Sequence, residues 1–521
     1  MPVDVTDNLT GCFRATAARY PQRSAVRYGD QVFTFAQLAE TVAAFAGSLA
    51  DLGVERGQRV AIQFPNCPQF VIAYFAAQHL GATVVPLHCL QGPEEIGYVV
   101  ADAEAETLIG LNVFGPCLGA VHKSCPGLKN VIVSGETELE GVRSFENLLQ
   151  ATPGPPDPFP ASKDDVAVLI YTSGTTGRPK GAMLTHDNLL FDAQACSEVI
   201  HFDKDDVFGS VLPFFHSFGA TVCMIIPLIA GAEAVLIPKF APLSVLETLE
   251  SARCTIFAGV PSMYAVMLQM KSDREFDLSN LRCGVSGGAP LPVEVMLGFE
   301  ERYGVHMVEG YGPTEASPVV SVNPMDASRK IGSIGLPLPG VECRIVDDEL
   351  GDVPLGEAGE LLVRGRNVMK GYWKDPQRTA ETIRDGWLLT GDVATMDEDG
   401  FMRIVDRKKD MIIVGGMNVY PREVEDVIYR IDQVAETAVI GVPNRLRGED
   451  VKAFIACKED GRLGAEAVIE HCKQYLANYK VPRSVEFLPE LPRSAIGKIL
   501  KRVLREQAAI ATGNNGATGD V

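Results

Sequence analysis

The sequence lacks an excess of positive charge. Its 521 residues contain 47 Lys and Arg against 67 Asp and Glu, a formal net charge of −20 at pH 7. A protein with this balance has no general attraction to nucleic acid or to an anionic membrane. We therefore expect no nucleic-acid partner, and any anionic ligand must be held by a local site.

Paired cysteines and a secretion signal are also missing. The 12 cysteines are scattered without a Cys-x-x-Cys pair, and the opening MPVDVTDNLTGCFRATAARYPQR has no apolar core of the signal-peptide type. Both features favour a reducing compartment. We therefore expect a cytoplasmic protein.

One apolar run, ATVCMIIPLIAGAEAVLI over 220–237, is about long enough to cross a bilayer. Pro227 and the interruption from Gly231 to Glu233 favour a buried helix, a turn and a core strand from Ala234 instead. We expect no integral membrane segment, while peripheral membrane contact stays open.

Short apolar runs alternate with helix-like segments up to about residue 310, from RVAIQF, PQFVIAYFAAQHLG and ATVVPL to RCGVSGG. This alternation is typical of βαβ units with buried, mainly parallel strands. After Gly332, short strand-like runs between turns predict a small β-rich subdomain. From Asp406, a strand, a glycine turn and a helix begin a compact αβ unit.

The length predicts at least two domains. We expect an α/β fold in which a large N-terminal domain of layered sheets, with the β-rich subdomain, covers 1–405. A small, mobile α+β domain should cover 406–511. The end of the chain, ATGNNGATGDV, has the composition of a disordered tail, which we place at 512–521.

A loop rich in glycine and hydroxyl side chains follows the apolar strand VAVLIY. Such loops suit phosphate because glycines admit backbone amides, hydroxyls donate and a lysine adds charge, although a flexible surface turn is the alternative. The spacing differs from Walker A, since Pro179 stands where the second glycine should be. An ordinary kinase or GTPase is therefore disfavoured. The candidate ligands are Thr172, Ser173, Gly174, Thr175, Thr176, Gly177 and Lys180.

Four motifs together resemble the adenylate-forming superfamily of acyl-CoA synthetases, peptide-synthetase adenylation domains and beetle luciferases. They are YTSGTTGRPKG, EGYGPTEAS, LLTGDVATMDEDGFMRIVDRKKDMIIVGG and LPRSAIGKILKR, in the family's order. The resemblance covers nearly the whole chain. It implies that ATP converts a carboxylic acid to an acyl-adenylate, which then passes its acyl group to coenzyme A, with Mg²⁺ as cofactor.

The resemblance also assigns roles around the nucleotide. It implies that Glu315 binds Mg²⁺, that Thr314 lies near the α-phosphate and that Tyr311 lies against the adenine. Attack of a carboxylate on the α-phosphorus gathers several negative charges, so cations have to offset them. The remaining nucleotide residues implied in this region are Gly287, Gly288, Ala289, Glu309 and Gly310.

Asp392 in LLTGD corresponds to the family aspartate that accepts hydrogen bonds from the ribose hydroxyls, with Arg407 in support. A buried structural Asp–Arg pair is the alternative interpretation.

The resemblance implies that the C-terminal domain rotates about Lys409 between the two steps. The run DRKKD by itself is typical of a solvated turn. In one orientation Lys498 would reach the carboxylate and the α-phosphate. In the other, Gly415 and Gly416 would line a passage for the pantetheine thiol. A lysine that only adds charge at a helix end is the alternative for Lys498.

The segment LPFFHSFG resembles the acyl-site motif of CoA ligases and luciferases. Domains that activate α-amino acids carry an aspartate where this chain has His216, so an amino acid is disfavoured. His216 either lines the pocket or packs in the core.

Gly312 matches a tryptophan that closes the pocket in acetate-type synthetases, and glycine is expected to leave that end open. Other candidate lining residues are Phe218, Val260, Met263 and Val285. Each buried methylene contributes about 0.8 kcal/mol, which favours an alkyl chain in an apolar pocket. A medium- or long-chain fatty acid is the leading substrate, and the sequence looks particularly like bacterial long-chain fatty acid CoA ligases. An aryl-CoA ligase and a carrier-protein-loading adenylation enzyme are the alternative functions. The protein could also form a homodimer.

Lys498→Ala should lower acyl-adenylate formation by about a hundredfold or more, because it removes a positioned charge from the first step. The variant should still convert supplied acyl-adenylate and CoA to thioester. Assays of the two half-reactions check this, and equal losses in both would contradict the two-orientation hypothesis.

Overall fold

The chain divides into two compact units. The computed structural model describes residues 8–150, 157–172, 178–270, 274–444, 446–458, 461, 463–493 and 499–514. The first unit comprises Met1–Cys343 and Val363–Leu388, and the second comprises Arg344–Leu362 and Leu389–Val521. Segment 344–362 thus groups with the C-terminal residues, and the boundary between 405 and 406 stays a prediction.

The strands, numbered along the chain, are β1 (Ser24–Tyr28), β2 (Gln31–Thr34), β3 (Arg59–Gln63), β4 (Thr83–Pro86), β5 (Ala105–Leu111), β6 (Asn130–Ser134), β7 (Arg143–Ser144), β8 (Val166–Thr172), β9 (Lys180–Thr185), β10 (Val207–Ser210), β11 (Glu233–Leu236), β12 (Ile256–Gly259), β13 (Cys283–Ser286), β14 (Met307–Tyr311), β15 (Ser321–Val322), β16 (Leu336–Pro337), β17 (Glu342–Val346), β18 (Gly359–Arg364), β19 (Gly371–Tyr372), β20 (Ile383–Arg384), β21 (Trp387–Met396), β22 (Met402–Arg407), β23 (Ile412–Val414), β24 (Met417–Val419), β25 (Val434–Asn444), β26 (Gly448–Cys457) and β27 (Ser484–Phe487).

The α-helices are α1 (Leu9–Arg19), α2 (Phe35–Asp51), α3 (Pro68–His79), α4 (Pro93–Asp102), α5 (Gly115–Ser124), α6 (Phe145–Gln150), α7 (His186–Ile200), α8 (Ser217–Ala220), α9 (Ile226–Ala230), α10 (Pro242–Ser251), α11 (Pro261–Gln269), α12 (Val293–Tyr303), α13 (Pro376–Thr382), α14 (Pro421–Ile428), α15 (Ala465–Tyr475) and α16 (Lys501–Asn514). Short 3₁₀ turns lie at Asn112–Phe114 and Thr314–Ala316, and a π-helical turn lies at Thr221–Ile225.

The first unit contains two large sheets whose central strands are parallel. One has the order β2-β1-β11-β10-β12-β13-β14-β15-β16 and is parallel from β1 to β14. The other has the order β7-β6-β5-β3-β4-β8-β9-β19 and is parallel from β7 to β8. Every residue of β4 is buried, as expected for a strand covered on both faces. The predicted layered α/β fold is confirmed.

Aromatic side chains fix the middle of the first sheet. Phe257 on β12, Tyr264 on α11 and Phe299 on α12 are fully buried in one cluster. The Tyr264 hydroxyl lies 2.9 and 3.0 Å from the carbonyl oxygens of Phe257 and Val285. It thereby joins α11 to two neighbouring strands just before their carboxyl ends, where candidate site residues follow.

The apolar run 220–237 folds largely as predicted. It forms the end of α8, the π-helical turn, α9, a turn at Gly231 and strand β11. Gly231 adopts φ +83°, and a Cβ there would lie 2.6 Å from the ring of Tyr20, so the turn requires glycine. No helix within the described ranges is long and apolar enough to cross a membrane.

The second unit contains antiparallel strands followed by a small α+β region. Strands β21 and β22 pair with Asp392 opposite Arg407. The C-terminal sheet has the order β24-β23-β26-β25, and β27 runs parallel beside β26. The predicted small α+β region is confirmed. Helix α16 continues through 512–514, which the tail prediction had left unstructured, and 515–521 lie outside the described residues.

Candidate active site

The candidate residues of the first unit follow the carboxyl ends of neighbouring parallel strands. Gly259 of β12 lies beside Ser286 of β13, and Ser286 lies beside Glu309 of β14. The loops that leave these strands begin at one edge of the sheet, where parallel α/β sheets usually bind ligands. The predicted adenine wall, 287–289, and the segment 310–312 therefore lie side by side.

Small residues permit close packing at this edge. A Cβ on Gly287 would lie 3.3 Å from the carbonyl oxygen of Gly310 and 3.1 Å from the ring of Phe218. Gly288 adopts φ +79°, a conformation that favours glycine. The structure thus brings the predicted adenine wall together with a predicted acyl-site residue.

Glu309 is buried, and its carboxylate accepts a hydrogen bond from the backbone N–H of Leu291 at 3.1 Å. Its carbonyl oxygen accepts another from the N–H of Asn323 at 3.0 Å. Glu309 therefore holds the segment after the adenine wall against β14. The sequence predicted Glu309 as a nucleotide-binding residue and did not reveal this structural role.

Glu315, Tyr372 and Lys180 lie together in the first unit. The Tyr372 hydroxyl donates to Oε1 of Glu315 at 2.8 Å, and Nζ of Lys180 lies 5.6 Å from the centre of the Tyr372 ring. Lys180 pairs across β8 and β9 with Thr172, so both ends of the glycine-rich loop are held by the sheet. The sequence reasoning missed Tyr372, whose only local signal is a Gly-Tyr pair.

Burial changes the titration of this group. Burial first, and then the charge of Arg378, lower the pKa of Lys180 from its ordinary value, while acidic neighbours including Glu315 oppose the shift. Burial, and then the charge of Glu315, raise the pKa of Tyr372. The phenol therefore stays protonated at neutral pH and serves as a donor.

His216 and Thr314 flank the start of α8. Nδ1 of His216 accepts a hydrogen bond from the N–H of Phe218 at 3.2 Å, so the proton of a neutral ring lies on Nε2. The hydroxyls of Thr314 and Ser217 are 3.2 Å apart. His216 is half-buried, and its place in the acyl pocket stays a prediction.

Val260 and Met263 lie at the start of α11. Val260 is buried as the residue before the helix, and Met263 packs against the core cluster that contains Tyr264. Val285 is buried on the neighbouring strand β13. Apolar side chains therefore gather after β12, as the sequence predicted, although contact with an acyl chain stays a prediction.

A buried acid fixes the turn after Glu315. Asp192 on α7 is fully buried, and its Oδ2 accepts the N–H of Val319 at 3.1 Å. The amide of Asn367 donates to the carbonyl oxygen of Val319 at 2.9 Å, and the Thr221 hydroxyl donates to that of Ser317 at 3.2 Å. Three distant segments thus hold the turn, and sequence reasoning identified none of them.

In the second unit, Nε of Arg407 lies 3.1 Å from Oδ1 of Asp392, which is nearly fully buried. The N–H of Asp392 donates to the Thr390 hydroxyl at 3.1 Å. This pairing agrees both with support of a ribose-binding aspartate and with the structural Asp–Arg pair, so ribose binding stays a prediction.

Lys409 lies in the turn between β22 and β23. Its neighbour Lys408 forms ion pairs with Asp348 and Glu360, and Asp410 accepts from Arg505 at 2.6 Å. On the following hairpin, Gly415 and Gly416 adopt φ +60° and +80°, and a Cβ on either would have no atom within 4 Å among the described residues. The turn itself therefore explains these two glycines.

Several predicted residues lie outside the described residues. They are Lys498 and the loop residues Ser173, Gly174, Thr175, Thr176 and Gly177. Within the ranges that are described, no cluster of three or more His, Cys, Asp or Glu side chains suits a metal ion.

Residues 13–373 match the family model described as AMP-binding enzyme, and residues 423–498 match its C-terminal domain. The chain belongs to the AMP-binding enzyme family. This membership confirms the predicted adenylate-forming family, and its CoA-ligase relatives confirm the acid–thiol ligase class.

Relatives of this AMP-binding enzyme include a long-chain-fatty-acid–CoA ligase of Bacillus subtilis (strain 168), 38% identical over 94% of this chain and 93% of the relative. A feruloyl-CoA synthase of Amycolatopsis sp. is 39% identical over 94% of this chain and 96% of the relative. The crystal structure of the anthranilate CoA ligase AuaEII in complex with anthranoyl-AMP has a TM-score of 0.91 at 31% identity, covering 98% of this chain and 99% of that one.

The interpretation of Gly312 as an open pocket end was wrong for this AMP-binding enzyme. A Cβ on Gly312 would lie 1.9 Å from the carbonyl oxygen of Pro318 and 2.9 Å from the backbone nitrogen of Val320. The space beside Gly312 is therefore filled by the turn that Asp192 holds. Glycine is required by this close approach, so it carries no information on acyl-chain length.

Gly312→Ala should lower kcat/KM by at least about tenfold for short and long acids alike, because the backbone has to move to admit a methyl group. The measurement is kcat/KM for acetate and octanoate. Gly127→Ala, where a Cβ meets no described atom, is the matched control. A loss confined to octanoate would restore the pocket-end interpretation.

Asp192→Asn should change how stability depends on pH. Burial raises the pKa of Asp192 well above its ordinary value, against the opposing effect of the Val319 N–H. The folded state therefore keeps a proton that the unfolded chain releases above about pH 4, so this group's contribution falls as pH rises, by at most about 1.4 kcal/mol per unit.

The asparagine variant lacks this dependence. The free energy of unfolding of the variant, relative to that of the wild type, should therefore increase from pH 5 to pH 7. Urea unfolding at both pH values measures the difference, with Asp51→Asn as the exposed control. A difference that stays constant would mean that Asp192 is ionised in the folded protein.

Proposed function

We propose that the enzyme converts a medium- or long-chain fatty acid to its CoA thioester in two steps. In the first, a carboxylate oxygen attacks the α-phosphorus of ATP and pyrophosphate leaves with the bonding electron pair. In the second, the CoA sulfur attacks the acyl carbon, AMP leaves and the thiol proton is released. The observation that carries the proposal is the grouping of Glu315, Tyr372 and Lys180 in the first unit.

The cationic and hydroxyl groups of the first unit suit the first step. Lys180 would offset charge on the phosphates, and its lowered pKa reflects the loss of water that strengthens this attraction. Thr314 would donate to the α-phosphate oxygen. Lys498 would add charge as pyrophosphate leaves. Tyr311 and 287–289 would enclose the adenine.

Mg²⁺ suits the donor set at Glu315. Magnesium commonly binds one or two carboxylates together with substrate phosphates, and Glu315 offers one carboxylate. When bound, the cation neutralises charge that develops on the phosphates. The protein's part is to hold the carboxylate in place.

A fatty acid is favoured by the apolar residues near the carboxyl ends of β12 and β13. Val260 and Val285 are buried there and Met263 is half-buried, so an alkyl chain that covered the exposed part of Met263 would replace water against apolar atoms. The long-chain-fatty-acid–CoA ligase among the relatives supports the same substrate class.

An aromatic acid is the second candidate. The rings of His88 and Phe215 lie 4.4 Å apart beside the acyl-site motif, an arrangement that suits a further ring. The relatives that act on ferulate and anthranilate support this alternative.

Rotation about Lys409 would separate the two steps. Support comes from the ion pairs on either side, since Lys408 is bound to segment 344–362 and Asp410 to α16. Both anchors lie in the second unit, so the backbone change that we propose would fall on Lys409 between them. Asp392 with Arg407 would hold the ribose, and Gly415 with Gly416 would admit pantetheine.

A reducing cytoplasm suits the 12 cysteines, which lie in the described ranges and form no disulfide there. Burial raises the pKa of several of these thiols, Cys67 to about 11 among them, so they stay protonated and unreactive. We propose ATP, CoA and an acid as the partners, in the cytoplasm.

The test is AMP release that depends on ATP and CoA, measured across acetate, octanoate, palmitate, benzoate and ferulate. The kcat/KM for octanoate should exceed that for acetate by at least about a hundredfold. Octanoate has six more methylenes, and full burial of each at about 0.8 kcal/mol would allow an even larger ratio. Preference for ferulate or benzoate would establish the aromatic alternative. AMP release with none of these acids would refute both.

A further inference from the structure

Tyr372 contacts two predicted catalytic groups that come from separate parts of the first unit. Its hydroxyl donates to Oε1 of Glu315 at 2.8 Å, and the cation of Lys180 lies 5.6 Å from its ring centre. The side chain is almost fully buried. Tyr372 lies 57 positions from Glu315 along the chain and much farther from Lys180.

The backbone around Tyr372 is held as firmly as its side chain. Its N–H donates to the Thr379 hydroxyl at 2.9 Å, and β19 pairs Tyr372 with Ala182 on β9. The N–H of Met369 donates to the carbonyl oxygen of Glu315 at 2.8 Å. The segment 369–372 therefore binds Glu315 by main chain and side chain while resting on the strand that begins with Lys180.

We propose that Tyr372 is a positioning residue that fixes the Glu315 carboxylate for the cation of the nucleotide, an inference that rests on the proposed function. Because the phenol donates to Oε1, it restrains the carboxylate that would bind the cation. Its ring keeps Lys180 on the same side through a cation–π contact.

Tyr372→Phe tests the contribution of the hydroxyl apart from that of the ring, since phenylalanine keeps the aromatic ring that contacts Lys180. The dissociation constant of Mn²⁺ in the presence of a non-hydrolysable ATP analogue, followed by electron paramagnetic resonance, should rise by about tenfold, the usual effect of losing a hydrogen-bond partner behind a metal ligand. Adenylate formation should fall at low Mg²⁺ and recover at high Mg²⁺. Thioester formation from supplied acyl-adenylate should keep the wild-type rate.

Tyr171→Phe is the matched control. The Tyr171 hydroxyl also donates to a carboxylate, Oδ2 of Asp102 at 2.6 Å, in the same unit. Losing that bond should leave the Mn²⁺ dissociation constant at its wild-type value.

A double-mutant cycle gives the decisive comparison. In a Glu315→Gln background, Tyr372→Phe should cause no further loss of Mn²⁺ binding, because the carboxylate that it positions is gone. An unchanged dissociation constant in Tyr372→Phe, or equal losses in both backgrounds, would overturn the inference. If the wild type forms no acyl-adenylate, the proposed function fails instead, so the two failures are distinguishable.

Discussion

The approach of the 317–320 backbone to Gly312 is the constraint on which the first unit's candidate site depends. The Pro318 carbonyl occupies the place of a side chain at Gly312, and Asp192 secures the turn by accepting from Val319. Because Thr314 and Glu315 lie between the two contacting segments, their positions follow from this packing. A fully buried, protonated acid suits the task, since an ionised carboxylate there would carry a large desolvation cost.

Much of the fold and part of the site follow from the sequence because their signals are local. Continuous apolar runs such as that of β4 indicate strands buried on both faces, and the motif around Glu315 carries its own spacing. Tyr372 and Asp192 could not be found in this way, since each acts through contacts with residues far along the chain. The error at Gly312 has the same origin. The atoms that a side chain at this position would meet depend on the folded backbone and cannot be read from the sequence.

In the second unit, ion pairs would confine the proposed backbone change to Lys409. Lys408 binds the nearly buried Glu360, and Asp410 binds Arg505 of α16. Pairs with one buried partner resist separation more than exposed pairs, because breaking them leaves a charge away from water. A change in backbone dihedrals at Lys409 would leave both pairs intact.

Electrostatics imposes a final condition on a protein of net charge −20 whose proposed substrates are all anions. At an ionic strength of 0.1 M, charges farther apart than about 10 Å are largely screened, so the protein's overall repulsion weakens before a ligand reaches the site. Attraction then comes from a few local cations, among them Lys180. Removal of water strengthens the attraction between this cation and a phosphate, and the same removal lowers the pKa of Lys180. A bound phosphate favours the charged form of Lys180, so the removal of water that lowers the pKa of the free lysine also strengthens its attraction to ATP.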